Sequence, residues 1–109
     1  MKTVKLKFSD PLPKLIIEGK KTNTWRINDD KNIEENDNLL LISKENQKEF
    51  GKAIVISINN TTFREITNND KEGHEKFKSE EEMYKVYSKY YNTEIKAETK
   101  VKIIKFKLL

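Results

Sequence analysis

The apolar residues of this chain come in short runs, and polar segments rich in Lys, Asn and Glu separate them. Residues 3–8 alternate between apolar and polar side chains, residues 39–42 read LLLI, and residues 53–58 read AIVISI. Runs of this length and composition are typical of strands. The hydrophobic fraction of 35% lies below the charged fraction of 37%, which predicts a modest core. The pattern therefore predicts a small protein built around a sheet.

Two helices are expected, one near each end of the chain. The first runs over about 11–18, where Gly19 is a typical helix end. Ser79 and Glu82 form a capping-box pattern that begins the second helix, over about 80–91. Six further segments have strand patterns: 3–8, 22–27, 38–43, 53–59, 61–66 and 101–109. The fourth and fifth are expected to be joined by a turn at Asn59-Asn60.

This order of elements predicts an α+β fold. Five or six short strands with one early and one late helix fit a small mixed β-barrel whose ends the helices cover. A helical bundle or a doubly wound sheet would need more helices than the sequence offers. The length of 109 residues predicts a single domain over 1–109, which we expect to be a monomer.

The composition excludes several kinds of chemistry. The chain has no cysteine and one histidine, His74, which excludes disulfides, thiolate metal sites and multi-histidine metal sites. It has no Gly-rich phosphate loop and no G-x-S-x-G motif. We therefore expect no metal and no cofactor, and a nucleophile would have to be Thr, Ser, Lys or a carboxylate. Without an apolar segment of signal or membrane-span length, we expect a cytoplasmic protein that does not bind membranes.

The net charge of +4 is unevenly distributed. Residues 1–26 carry seven Lys and Arg against two Asp and Glu, whereas residues 27–50 carry three against seven. A basic segment of this kind suits a phosphate or polyanion partner. The alternative is a general compositional bias without a nucleic-acid partner, because the chain holds twenty lysines against two arginines.

The densest cluster of chemically useful side chains lies in residues 19–27, which read GKKTNTWRI. Six residues carry it: Lys20, Lys21, Thr22, Thr24, Trp25 and Arg26. A lysine pointing into a pocket beside Thr24 could lower the pKa of its hydroxyl or hold an anionic group. Trp25 could stack on a base. The structural alternatives are lysines that meet the negative end of the first helix and a tryptophan that packs in the core.

The alternation of a strand poses a condition on this cluster. In a regular strand from Thr22 onward, Thr24 and Arg26 point to one side, and Lys21 and Trp25 point to the other. Lys21 and Thr24 therefore share a site only if the turn after the helix runs through Lys21 and the strand begins later.

The polar segment 68–78 offers the candidate carboxylates. Glu72 and Glu75 flank His74, and either could act as a general base if the fold brings it to Thr24. A lone histidine in a polar loop is expected to be exposed and without a role. In the second helix, Met83, Tyr87 and Tyr90 lie at helical spacing and are expected in the core, whereas Tyr84 and Tyr91 lie off that face.

The order of these motifs resembles the ASCH domain family of the PUA-like superfamily. The Gly-Lys-Lys-Thr run followed by Thr24 and Arg26 is similar to the family's most typical signature. The segment ENDNLLLI resembles a Gly-Asp-x-Leu strand start in which Asn36 replaces Gly. FREI, a later Glu-Gly pair and the closing strand VKIIKFKLL follow in the family's order. The resemblance covers nearly the whole chain and implies a PUA-like barrel with a cleft beside the first helix and the second strand.

The resemblance implies two alternative functions. Family members are proposed RNA-binding modules, which implies RNA or a nucleotide as partner of the basic cleft; the ligand-contacting residues would then be Lys20, Lys21, Thr22, Trp25 and Arg26. A small bacterial branch hydrolyses N4-acetylcytidine with a Lys, a Thr and a Glu. In this chain Lys21 would be the activator, Thr24 the nucleophile and Glu75 the general acid/base, with Glu72 as the second candidate.

Binding is the favoured interpretation, because the resemblance and the charge distribution both agree with it and the catalytic Glu is not fixed by the sequence. A third interpretation is a protein-interaction module that uses the acidic segment 28–37.

Overall fold

The computed structural model describes all 109 residues, and its five strands form one mixed, curled sheet that makes a half-barrel. The strands are β1 (Thr3–Phe8), β2 (Asn23–Arg26), β3 (Asn38–Ser43), β4 (Glu49–Thr62) and β5 (Lys100–Leu108). Their order in the sheet is β1-β3-β4-β5-β2. Only β1 and β3 are parallel, and the other pairs are antiparallel. The predicted α+β class and barrel-like architecture are confirmed.

Three helices accompany the sheet: α1 (Leu12–Ile17), α2 (Asn68–Lys71) and α3 (Glu80–Tyr91). The first and third are the two predicted helices. The single-turn helix α2 lies in the segment expected to be irregular, where Thr67 and Asp70 form a capping box that satisfies its first backbone N–H groups. None of the three helices is long and apolar enough to cross a membrane.

The long strand β4 corrects the expected turn at Asn59-Asn60. The strand predicted over 53–59 continues through residues 60–62 without a turn, and residues 63–65, also predicted to be strand, form a single 3-10 turn instead. Both asparagines pair with β5, Asn59 opposite Ile103 and Asn60 opposite Lys102. Pairing along the neighbouring strand therefore overrides the local turn preference of asparagine.

Two apolar clusters lie on opposite faces of β5, because neighbouring residues of a strand point to opposite sides. One cluster, which we call the aliphatic core because nine of its eleven side chains are aliphatic, fills the inside of the half-barrel. Its members are Val4, Leu6, Phe8, Ile16, Ile33, Leu39, Leu41, Ala53, Val55, Ile104 and Phe106. The aromatic core lies between the sheet and α3: Trp25, Ile27, Phe63, Met83, Tyr87, Ile95, Val101 and Ile103. Ile103 and Ile104 thus belong to different cores, and both are buried.

Candidate functional site

A cleft of about 330 Å³ opens where the ends of β1 and β2 approach α3. Its apolar lining includes Phe8, Leu12 and Tyr87. Lys21, Thr24 and Glu75 meet in this cleft, although Glu75 lies more than fifty residues from the other two. The volume falls within the range of pockets that hold small organic ligands.

An ion pair between Lys21 and Glu75 forms the polar centre of the cleft. Lys21 Nζ donates a hydrogen bond to Glu75 Oε1, and the Lys21 side chain is only 3% exposed against 23% for Glu75. Burial lowers the pKa of the Lys21 ammonium, and the charge of Glu75 opposes this shift. Burial raises the pKa of Glu75, but the charge of Lys21, the nearby His74 and the hydrogen bonds to the carboxylate together outweigh it, so the Glu75 pKa lies below its ordinary value. Glu75 is therefore a carboxylate at neutral pH.

The end of α1 explains how Lys21 reaches this position. Gly19 adopts a positive φ of 77°, a backbone conformation that suits glycine, and the N–H groups of Lys20 and Lys21 then both donate to the Leu15 carbonyl. The strand β2 begins only at Asn23. The condition set by strand alternation is therefore met, because the turn runs through Lys21 and the strand starts later.

Thr24 is held by Arg26, two residues along the same face of β2. The Thr24 side chain is buried, and its Oγ1 accepts a hydrogen bond of 3.1 Å from Arg26 Nε. The guanidinium also donates to the Lys7 carbonyl at 3.2 Å and lies 4.8 Å from the centre of the Phe8 ring. Arg26 therefore connects β2 to β1, and its positively charged guanidinium lies beside the Thr24 hydroxyl.

Asn23 ties the segment that carries Glu75 to the start of β2. Its side-chain Nδ2 donates to two backbone carbonyls, those of Asp70 and Glu72, at 2.9 Å each. Asn23 is fully buried, and its bond to the Asp70 carbonyl is shielded from water. These two contacts fix the path of the chain directly before Glu75.

Gly73 allows the same segment to approach β2 closely. The Thr22 N–H donates to the Gly73 carbonyl at 2.7 Å, and Gly73 has a positive φ of 80°. A Cβ on Gly73 would lie 1.9 Å from Thr22 Oγ1. Only glycine satisfies both the close contact and the backbone conformation without rearrangement.

His74 is buried rather than exposed, which corrects the expectation for a lone histidine in a polar loop. Its Nδ1 lies 2.9 Å from the Glu75 carbonyl oxygen, and its Nε2 lies 2.9 Å from the Tyr87 hydroxyl. Because a carbonyl oxygen only accepts, Nδ1 carries the proton and Nε2 accepts from Tyr87. Burial and the charge of Lys21 lower the pKa of His74 to about 4, so the ring is neutral.

No family model and no curated protein matches the sequence. Solved structures do match: an ASCH domain from Lactobacillus crispatus has a TM-score of 0.74 at 12% identity, over 98% of this chain and 79% of that one. A mutant of the protein ZmASCH from Zymomonas mobilis has a TM-score of 0.65 at 18% identity, over 94% of this chain and 66% of that one. This chain has the ASCH-domain fold. The hypothetical protein PH0355 is 27% identical over the whole of both chains, with a TM-score of 0.74.

Two of the predicted ligand-contacting residues lie outside the cleft of this ASCH fold. Lys20 is exposed and lies 3.6 Å from Glu18, with which it forms an ion pair. Thr22 is exposed and borders a different groove, behind the segment that carries Gly73. Glu72, the second candidate for the general base, is exposed and does not line the cleft. The cleft therefore contains Lys21 but not Lys20, Thr24 but not Thr22, and Glu75 but not Glu72.

Trp25 belongs to the aromatic core of the ASCH fold. It is 3% exposed, and its indole stacks on His74 with ring centres 3.8 Å apart. Its Nε1 is buried without a hydrogen-bond partner. With so little free surface, the packing alternative fits Trp25 better than base stacking.

Of the two α3 tyrosines predicted to lie in the core, only one is buried. Tyr87 is buried as expected, whereas Tyr90 is 58% exposed and lines the cleft. Tyr91 also lines the cleft, and its hydroxyl accepts a hydrogen bond from the Ile27 N–H at 3.2 Å. Tyr90 therefore offers an aromatic surface at the mouth of the cleft.

Sequence reasoning missed two cationic residues at the same mouth. Lys7 and Lys44 are exposed and line the cleft, and neither forms an ion pair. Lys7 alternates with apolar residues in β1, so its position facing outward was readable, but its proximity to Lys44 follows only from the sheet. No group of three or more His, Cys, Asp or Glu side chains that could hold a metal ion is present.

Proposed function

We propose that this protein is an amidohydrolase that removes the acetyl group of N4-acetylcytidine or a closely related acylated nucleoside. The observation that supports this proposal is the Lys21–Glu75 ion pair in the same small cleft as the Thr24 hydroxyl. The resemblance to the acetylcytidine-hydrolysing branch requires the same three residue types in one site. Sequence considerations favour binding, whereas this contact favours hydrolysis because it supplies the third residue.

In the proposed reaction, the Thr24 oxygen attacks the acyl carbon while its proton passes to the Lys21–Glu75 pair. The developing negative charge on the acyl oxygen is stabilised by the cations of the cleft, Lys21 and Arg26. The pair then returns the proton to the departing amine nitrogen as the C–N bond breaks. Water, activated by Glu75, hydrolyses the acyl-Thr24 intermediate, so one amide and one water give one amine and one carboxylic acid.

The chain supplies matched controls for the test. Purified protein is incubated with N4-acetylcytidine, and the release of cytidine is measured. We expect Thr24→Val, which removes the nucleophile, to lower kcat/KM by about 10³-fold or more, whereas Thr22→Val stays within about twofold. The same contrast is expected for Glu75→Gln against Glu72→Gln. An absence of cytidine release by concentrated wild-type protein, or full activity of Thr24→Val, would contradict the proposal.

Binding of RNA or a nucleotide is the second candidate, and the unpaired Lys7 and Lys44 favour it. Arg26 adds to this, because only two of its five N–H groups are used by Thr24 and Lys7. This candidate predicts binding that weakens steeply with salt and no turnover. A monomeric state and a cytoplasmic location remain expectations of the sequence.

A further inference from the structure

His74 has no step in the proposed reaction, yet both of its ring nitrogens are engaged. The side chain is 1% exposed. Its Nδ1–H donates to the Glu75 carbonyl, and its Nε2 accepts from the Tyr87 hydroxyl. A buried neutral ring with both nitrogens bonded can adopt only one orientation and one tautomer without leaving a polar atom unpaired.

The Glu75 backbone has little else to hold it. Residues 75–77 belong to no helix or strand, and the Glu75 carbonyl accepts no hydrogen bond besides that of His74. Asn23 and Thr22 fix the chain as far as Gly73, and the last backbone hydrogen bond before Glu75 is from the His74 N–H to the Lys71 carbonyl at 3.1 Å. The Glu75 carboxylate contacts Lys21 at one end, and between Gly73 and α3 the His74 ring contacts both the Glu75 carbonyl, at 2.9 Å, and the Glu75 carboxylate, at 3.5 Å.

We propose that His74 is a positioning residue, whose Nδ1–H bond to the Glu75 carbonyl directs the Glu75 carboxylate to Lys21 and the cleft. This inference rests on the proposed function for its catalytic consequence, but the orientation of Glu75 can be measured without turnover. The stack on Trp25 and the bond from Tyr87 hold the ring itself, so the aromatic core fixes the ion pair through His74.

Two substitutions of His74 separate positioning from packing. In His74→Asn the amide lies where Nδ1 lies and can still donate to the Glu75 carbonyl. In His74→Gln the amide reaches the position of Nε2 and retains only the contact with Tyr87. Both variants lose the stack on Trp25, so a role in packing alone would affect them equally.

The primary measurement is a 13C NMR titration of the Glu75 carboxyl group. We expect His74→Asn to keep the Glu75 pKa close to that of the wild type, and His74→Gln to raise it, because the carboxylate leaves Lys21. Where the wild type hydrolyses N4-acetylcytidine, kcat should fall by about 100-fold in His74→Gln and by less than about fivefold in His74→Asn, with KM unchanged. Equal Glu75 titrations in the two variants would overturn the inference.

A measurement on the wild type protects the test against variants that fail to fold. The 15N chemical shifts of the His74 ring report which nitrogen carries the proton. Protonation at Nδ1 at neutral pH supports the inference, and protonation at Nε2 overturns it because the bond to Glu75 would be lost. A wild type that shows the expected tautomer and Glu75 titration but no turnover would contradict the proposed function and leave the positioning role supported.

Discussion

The aliphatic core and the aromatic core are built on opposite faces of the same strand, but they are different in kind. Every side chain of the aliphatic core is purely apolar, and Leu39, Leu41 and Ile104 are fully buried in it. The aromatic core includes two polar atoms, the Trp25 Nε1 and the Tyr87 hydroxyl, and contacts the buried His74. The aliphatic core buries apolar area only, whereas the aromatic core also orients a hydrogen bond, that from the Tyr87 hydroxyl to His74.

The difference shows what each core contributes to the cleft. The aromatic core places the polar Trp25 Nε1 among apolar side chains, whereas the aliphatic core contains no side-chain polar atom. The neighbours Thr24 and Trp25 point to opposite sides of β2, opposite Ile104 and Ile103 of the two cores. The strand β2 thus places the Thr24 hydroxyl on the side of the aliphatic core. On its other side, the Trp25 indole stacks on His74, which contacts Glu75.

The largest expected effect on stability comes from a cavity in the aliphatic core. Leu41→Ala should lower the free energy of unfolding by about 3 kcal/mol, because the fully buried side chain leaves a space that β1 and β3 cannot close. Chemical denaturation measures this loss. Since Leu41 does not line the cleft, the Glu75 pKa and the kcat of the folded protein should stay unchanged. A changed Glu75 titration in this variant would mean that the two cores are not separate in function.

Acid should act on the aromatic core before it acts on the rest of the molecule. His74 has an ordinary pKa of 6.5 and a folded-state pKa of about 4. Between these values the unfolded chain binds a proton that the folded chain does not bind, so stability is complete above pH 6.5 and falls as the pH decreases to 4. The loss should approach about 3 kcal/mol.

Unfolding free energies measured at several pH values across this window provide the check, with His74→Asn as the control. The variant has no titrating group at this position, so its stability should change much less over the same window. Equal slopes in the wild type and the variant would assign the acid sensitivity to other groups.

The helices and most strands follow from local sequence. The predicted second helix, 80–91, matches α3, because Ser79 caps its first turn and Asn92 ends it in the left-handed conformation. The alternation of residues 3–8 matches β1. The Asn59-Asn60 segment could not be read in the same way, because its extended conformation depends on a partner strand about forty residues later.

The site was less predictable, because distant contacts assemble it. The motif of residues 19–27 identified Lys21 and Thr24 as candidates, but nothing local distinguishes Glu75 from Glu72. Hydrogen bonds from Asn23 across 47 and 49 residues fix the path of the chain before Glu75, and these distant contacts cannot be read from the local sequence. The prediction of an exposed His74 was wrong for a related reason, since its burial depends on Tyr87 of α3 and not on its polar sequence neighbours.

A smaller effect is expected where the Glu75 segment meets β2. Gly73→Ala should destabilise the protein by about 2 kcal/mol, part from the positive φ and part from the contact with Thr22 Oγ1. The double variant Thr22→Ala with Gly73→Ala removes the contact and should recover that part, leaving about 1 kcal/mol for the backbone. A double-mutant cycle by chemical denaturation measures the recovery, and strict additivity would show that Thr22 and Gly73 do not interact.

The smallest expected effect separates the two rims of the cleft. Lys7 extends from the outer face of β1, opposite the residues that enter the aliphatic core, whereas Tyr90 extends from α3 beside the aromatic core. We expect Lys7→Gln to leave the KM for uncharged N4-acetylcytidine within about twofold, and Tyr90→Ala to raise it by about tenfold through lost stacking. Lys5→Gln, a change on the same strand away from the cleft, is the control.

Salt turns the same variants into a test between the two candidate functions. If the cleft binds RNA or a nucleotide, each phosphate contact contributes a slope of about 0.7 to 0.9 to the fall of log affinity with log salt concentration. Lys7→Gln and Lys44→Gln should then each reduce that slope, and Lys5→Gln should not. If the ligand is an uncharged nucleoside, all of these proteins should give flat salt profiles. In that case only Tyr90→Ala weakens binding, and recognition belongs to the aromatic side of the cleft.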